Sequence, residues 1–256
     1  MINEYPLTKT NRIRLAKAFR NVPRVDLSIE CVIEGQMGKA YVDDLENPSA
    51  YKIGGTFFFY FAGDAASEGG QEILKAIKPW TLFMPSSAGW LEAGKTMYGE
   101  RLISFDRHSF SSECLSLEHV GKLCQASEFA NDVKRMDVAL IERVWGQDHF
   151  IDVSDFESPA DFIERGIGYY IEKHGEIVGA ALSSLVCSKG IEISLFVMDD
   201  YRRQGLATSL SANLIKWCLE NAMDPHWDAA NPESCKLAEK LGYIPTGKYQ
   251  AYYLKD

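Results

Sequence analysis

The sequence predicts a mixed α/β fold, and three observations carry that prediction. An apolar strand, Ile191 to Val197, runs through a short turn into Arg202-x-x-Gly205-x-Ala207. Behind that turn Leu206, Leu210, Leu214, Trp217 and Cys218 recur at i, i+4, i+8, i+11 and i+12, one face of a long helix. Just upstream, Gly168 to Gly179 holds two β-rich runs around a Gly-containing turn, which reads as a hairpin feeding the strand.

The first half reads as a small α/β unit. Thr10 to Asn21 suits a basic helix, with Pro23 as its stop. Val25 to Ile33 and Ala40 to Asp43 read as strands joined through Glu34-Gly35-Gln36-Met37-Gly38. Phe57 to Phe61 is a continuous apolar run, hence a buried strand, followed by Gly63-Asp64 and a helix around Gln71 to Ile77. Trp80 to Met84 and Leu102 to Phe105 add strands on either side of a helix near Trp90 to Met97. The polar stretch Ser109 to Glu113 marks a boundary. Two domains are therefore expected, residues 1–112 and 113–256.

In the second half, Ser158-Pro159 starts a short helix ahead of the hairpin. After the long helix, Asn221 to Asp224 break the pattern and Pro225 to Ala230 form a short strand. Asn231 is placed as N-cap of a last helix with Pro232 at its first position, and Gly242 ends it in the left-handed conformation. Tyr249 to Leu254 reads as a closing strand.

The turn between the strand and the long helix is an anion site. The first N–H groups of a helix lack partners within it, and the helix dipole adds partial positive charge where they point. Gly205 lets the backbone approach a bulky ligand and Ala207 keeps the approach clear, so the expected ligand is a pyrophosphate. A dinucleotide fingerprint needs three spaced glycines, and this turn has one. No Gly-x-x-x-x-Gly-Lys-Ser/Thr segment exists either.

A strand with an internal glutamate, an Arg-x-x-Gly-x-Ala turn, and an Asn-led helix ending Lys-Leu-Gly-Tyr resemble, in that order, the GNAT superfamily of N-acetyltransferases. The likeness covers roughly residues 115 to 256. It implies a mixed, mostly antiparallel twisted sheet with flanking helices in the C-terminal half, preceded by the smaller α/β domain. Around Lys39 to Asp44 and at Phe61 to Asp64 the first half resembles a two-part GNAT subfamily that includes zwittermicin A resistance acetyltransferases. On that reading it is a companion without a cofactor loop that shapes the acceptor site; Phe61 to Asp64 is otherwise a plain strand end.

The resemblance implies acetyl-CoA as co-substrate and a primary amine of a small molecule as acceptor. It assigns the pantetheine arm to the backbone of Phe196, Val197 and Met198. Pyrophosphate falls to Arg202, Arg203, Gln204, Gly205, Leu206, Ala207 and Thr208, with Asn231 either contacting the cofactor or serving only as N-cap. An amine must lose a proton before it attacks a thioester, so a general base is needed. Glu192 sits where many members carry a catalytic glutamate. Strand alternation puts it on one face with Ser194 and Phe196, and burial in so apolar a strand raises a carboxyl pKa; the alternative is an edge-exposed or salt-bridged glutamate. The Val197 amide is the expected oxyanion donor. Many members use a tyrosine in the last helix to protonate the thiolate, and here that position is Ala238. Ser234, Tyr243 or water stands in. The missing tyrosine keeps open a second reading, a CoA-binding sensor or scaffold, and protein N-acetylation is a third.

Charge sets the remaining bounds. Of 36 acids and 27 bases, giving a net charge of −9, residues 1–125 hold 15 acids and 14 bases, and residues 126–256 hold 21 and 13. Such a surface excludes nucleic acid. Residues 128–172 alone hold 11 acids, a strip that either attracts a cationic amine or merely solubilises a helix face. The six cysteines are scattered with no Cys-x-x-Cys pair and no clustered histidines, which argues against zinc or a disulfide framework. No secretory signal or membrane-length apolar run is present, so a cytoplasmic home is expected. The sequence leaves the oligomeric state open.

Overall fold

The computed structural model describes residues 2–55, 58–147 and 151–256. In chain order it begins with β1 (Asn3–Glu4), α1 (Lys9–Ala18), α2 (Ser28–Glu34), β2 (Lys39–Val42), β3 (Ala50–Gly54) and β4 (Phe58–Gly63). Then come α3 (Glu68–Lys75), β5 (Leu82–Met84), α4 (Ala88–Tyr98), β6 (Leu102–Ser111), α5 (Leu117–Ala126), β7 (Lys134–Arg135), α6 (Val138–Val144) and α7 (Pro159–Arg165). The site-bearing elements are β8 (Gly168–Lys173), β9 (Glu176–Val186), β10 (Gly190–Val197), α8 (Leu206–Glu220), β11 (Asp224–His226), β12 (Asp228–Ala229), α9 (Pro232–Leu241) and β13 (Ile244–Leu254). The chain divides into two compact units, one up to Arg107 plus Lys248–Asp256, the other His108–Gly247.

The first unit is built on a sheet ordered β1-β2-β3-β4-β5-β13-β6. Its pairings are antiparallel except β4 with β5. One core gathers Leu15, Phe19, Ile29, Val32, Ile53 and Tyr60, and another gathers Phe61, Ile73, Leu74, Phe83 and Trp90. Phe61 stacks on Trp90 at 5.1 Å between ring centroids.

Three sequence expectations change here. The stretch expected as a strand from Val25 to Ile33 is instead α2, because the buried Asp26 carboxylate accepts from Ser28 N at 3.0 Å and Ser28 Oγ at 2.8 Å, fixing a helical start. Gly35, at φ +69°, closes that helix. A short apolar run has no periodicity of its own to separate helix from strand. The expected boundary at Ser109–Glu113 is displaced, since β6 runs through to Ser111 and the units divide at Arg107/His108. The closing strand does not stay with residues 113–256: its end pairs antiparallel with β5, Tyr252 opposite Phe83, within the first unit. Phe57, expected in a strand, lies outside the described residues.

The second unit holds a sheet ordered β11-β10-β9-β8-β7, antiparallel except for β10 with β11. Helix α8 packs on β8 and β9, with Leu206, Leu210, Leu214 and Cys218 buried as its spacing predicts, Ile215 buried beside them and Trp217 half-buried. A core of Val120, Ala212, Ile215, Trp227, Ala238, Leu241 and Tyr243 joins α5, α8 and α9. The segment expected as one strand, Pro225 to Ala230, is two: β11 pairs parallel with β10, and β12 pairs antiparallel with the end of β6. Among the described residues no helix is long and apolar enough to cross a membrane.

Two physical constraints here are testable. A Cβ on Gly190 would lie 2.0 Å from the Asp224 carbonyl oxygen, so Gly190→Ala must force β10 and β11 apart. The expected loss is about 2 kcal/mol, measured by urea unfolding. Burial pushes the Cys218 thiol from its ordinary value of 9.0 up to about 12. The folded state holds this proton while the unfolded chain loses it, so the thiol's contribution is intact below pH 9 and fades as pH rises toward 12. Native Cys218 should resist alkylation at pH 9 while exposed Cys114 reacts, read by peptide mass mapping.

Candidate active site

The site begins where two parallel strands part. Residues 190, 191 and 192 of β10 lie opposite residues 224, 225 and 226 of β11, and the pairing ends with Glu192 opposite His226. From Ile193 to Val197, β10 pairs only with β9, with a register shift between Glu192 and Ile193. The extra residue lies on β9, where Leu185 and Ser183 face Glu192 and Ile193, so the alternation of β10 itself is unbroken and Glu192 stays on the Ser194 and Phe196 face as expected.

One edge of β10 is therefore open, and the backbone facing it can be worked out. Met198 N donates to Val178 O of the β9 side at 3.0 Å. Successive N–H groups of a strand point to opposite edges, so those of Val197 and Leu195 point away from β9. Arg202 Nε donating to Val197 O at 3.2 Å shows the same direction for the carbonyl. Met198 thus spends its amide on the sheet, and Leu195, which the sequence reading passed over, presents one to the cleft.

The turn after β10 is held by backbone twist and side-chain bonds. Arg203 and Gly205 have positive φ, +61° and +95°, and a Cβ on Gly205 would meet nothing within 4 Å, so glycine serves the conformation and the approach. Gln204 Nε2 bonds Asp200 O at 2.8 Å. Arg202 is tied to Asp199 Oδ1 at 2.8 Å as well as to Val197 O, which makes it a brace of the turn. The first helical bond runs from Ser209 N to Gly205 O, so the N–H groups of Leu206, Ala207 and Thr208 have no intrahelical acceptor. No acidic residue stands in the first turn of α8, and Leu206 contributes only backbone because its side chain is buried.

Between β10, this turn and α9 lies a cleft of about 660 Å³. Phe196, Val197, Arg202, Arg203, Gly205, Ala207, Thr208, Asn231 and Ser234 line it, together with Leu195, Trp227, Asp228 and Lys240. The last four were not singled out from sequence. Lys240 was legible only as part of the Lys-Leu-Gly-Tyr ending; its Nζ donates to Thr208 Oγ1 at 3.1 Å, bringing a cation to the α8 N-terminus. Asn231 acts as the expected N-cap, Oδ1 accepting from Ser234 N at 2.8 Å, and also borders the cleft.

The face of α9 toward the cleft is Glu233, Ser234, Leu237 and Lys240. Ala238 is fully buried in the core, so this position does not look into the cleft in this chain. Trp227 Nε1 donates to Ser234 Oγ at 3.2 Å, which leaves the hydroxyl proton to be given elsewhere. Tyr243 is removed as a stand-in acid: its buried hydroxyl donates to Pro225 O at 2.6 Å, and burial first, then Cys218, Asp224 and Glu192, push its pKa well above 10.

Glu192 is salt-bridged, with Oε2 lying 2.8 Å from His226 Nδ1 and both side chains mostly buried. His226 was not identified from sequence because a parallel strand pairing, not a motif, brings it there. Three of the eleven acids of the strip are ion-paired locally: Glu172 with Lys134 and Arg143, Asp161 with Arg165, and Asp132 with Lys173. Asp148 lies outside the described residues. Among the described residues no cluster of three or more His, Cys, Asp or Glu is placed to hold a metal ion.

A mixed sheet with parted parallel strands above a helix N-terminus defines a class of fold, and comparison with known proteins names it. The model of the GNAT acetyltransferase family matches residues 19–252, and the chain belongs to that family. It is 27% identical over 227 residues, 84% of this chain and 85% of the relative, to the uncharacterized N-acetyltransferase YdfB of Bacillus subtilis. A GCN5-related N-acetyltransferase-like protein from Streptococcus suis superposes with a TM-score of 0.81 at 29% identity, covering 96% of this chain and 99% of that one. A GNAT-family putative acetyltransferase from Novosphingobium aromaticivorans shares the fold at 12% identity and a TM-score of 0.53, over 83% and 91% of the chains.

Tyr243→Phe leaves the buried Pro225 carbonyl without its donor. It should cost about 1 to 2 kcal/mol of stability in denaturant unfolding while affinity for coenzyme A, read by calorimetry, stays unchanged.

Proposed function

We propose that this chain is an acetyl-CoA-dependent N-acetyltransferase that transfers the acetyl group directly to a primary amine of a small molecule. One observation carries the reading. The open edge of β10, with the Leu195 and Val197 amides, and the uncapped N-terminus of α8 line a single cleft.

The residues present fit the ligand. The N–H groups of Leu206, Ala207 and Thr208, with Arg203 and Lys240, make a cationic cradle suited to a pyrophosphate, and the strand edge suits the amides of a pantetheine arm. Bound acetyl-CoA supplies an activated acetyl thioester. The chain's part is to aim the Leu195 or Val197 N–H at the thioester oxygen as it gathers charge, to take the amine's proton at the Glu192–His226 pair, and to return one from the Ser234 hydroxyl or from water. Thiolate is a good leaving group, so a weak acid suffices. The chemistry needs an amine that can shed its proton, and a cationic acceptor is favoured by the net charge of −9.

The test is thiol release from acetyl-CoA with aminoglycosides, polyamines and amino-polyols, with calorimetric titration of coenzyme A alongside. Wild type should turn over at least one amine. Arg203→Ala combined with Lys240→Ala should weaken coenzyme A binding about tenfold or more with little change in kcat, since each lost charge-assisted contact is worth about 1 kcal/mol or more. Binding without acetylation of any amine would instead favour a CoA-binding sensor.

A further inference from the structure

The Glu192–His226 pair sits on the last rung before β10 and β11 part, so the opening between the strands starts immediately beyond it. Glu192 lies behind His226 and outside the lining of the coenzyme cleft. His226 lines a second cavity of about 320 Å³, walled by Phe110, Ser112, Glu113, Asp224 and Trp227. Trp227 lines both cavities, which therefore adjoin. The imidazole thus has a buried carboxylate at its Nδ1 and lines a cavity next to the coenzyme cleft.

We propose that His226, not Glu192, is the group that takes the proton from the acceptor amine, which enters through this second cavity, and that Glu192 is its positioning residue. The assignment rests on the acetyltransferase reading. A carboxylate oxygen 2.8 Å from Nδ1 favours a proton on that nitrogen, and with the proton there the lone pair of Nε2 faces the other side of the ring. The acceptor ammonium gives its proton to Nε2, forming an imidazolium beside the carboxylate. The freed nitrogen lone pair forms the amide bond as the carbon–sulfur bond breaks; the leaving thiolate takes a proton from Ser234 or water, and the second N–H proton, shed by the nitrogen as it becomes an amide, restores that donor. The imidazolium then returns its proton to solvent.

The groups that set this titration come from every side. Glu192 lies on β10, Asp224 on β11 and Glu113 after β6, while Cys218 of α8 and Tyr243 after α9 are held protonated by burial. Asp224 accepts from the Ser112 hydroxyl.

Two measurements decide the proposal. Proton–nitrogen correlation spectra of the ¹⁵N-histidine-labelled protein, without ligand, should show neutral His226 as the Nδ1–H tautomer; an Nε2–H tautomer overturns the assignment whether or not any amine is turned over. In thiol-release assays with spermidine, kanamycin and lysine amide, His226→Asn should lower kcat/KM about 100-fold on any amine that wild type acetylates. It should also abolish the acid limb of the pH profile, with coenzyme A affinity intact. Glu192→Gln, which retains an acceptor for Nδ1–H without the charge, should keep the limb but move it to lower pH. If His226→Asn and the second variant His226→Gln only scale the wild-type profile without changing its shape, Glu192 is the base and the proposal fails. Wild type inactive on every amine would count against the acetyltransferase reading, and the tautomer would still judge the pair.

Discussion

The structure turns on the point at which β10 and β11 stop pairing. Parallel strands held by three rungs and then released leave one backbone edge without a sheet partner, and an unpaired strand edge must find acceptors and donors elsewhere. Everything chemically active in the second unit lies along that edge or at its two ends. The Glu192–His226 pair marks where it begins, and the turn into α8 marks where it ends. The close contact of Gly190 with Asp224 lies on the first of these rungs, and the irregularity in the β9 pairing falls where the β11 pairing ends.

The parted strands also explain why polar groups can be afforded in so apolar a neighbourhood. Glu192 and His226 meet each other before they meet water, and Tyr243 and Ser112 fasten the β11 side through Pro225 and Asp224. The Tyr243 and Ser112 hydroxyls are hydrogen-bonded and the Glu192 carboxylate is ion-paired with His226, which offsets part of the cost of burying them. The anion-binding end is built oppositely. Its N–H groups are uncapped, its first turn has no acid, and its cations come from the turn and from the far end of α9. The two ends of the edge therefore differ in kind: a buried carboxylate–imidazole pair at one, uncapped N–H groups and cations at the other.

The first unit shows how far local pattern misleads when burial is shared by several layers. Its apolar segments are short, and a seven-residue run such as Ser28–Glu34 fits a strand or a helix equally until Asp26 binds the backbone at its start. The last strand shows the same limit at longer range, because the sequence marks Tyr249 to Leu254 as extended and says nothing about which strand lies beside it.

From the sequence alone came the family, the α8 anion turn and the order of strand, helix, strand and helix around it, because glycine, the N-cap and helical spacing act within a few residues of themselves. Glu192 was legible as a carboxylate in an apolar strand, and Ser234 and Asn231 through the cap they share. Tertiary structure alone decided which groups these meet. His226 reaches Glu192 through a parallel pairing across more than thirty residues, Lys240 reaches Thr208 across the groove between two helices, and Tyr243 is withdrawn from chemistry by one hydrogen bond to Pro225. Such contacts depend on where strands part and helices cross, and no local spacing in the chain encodes that.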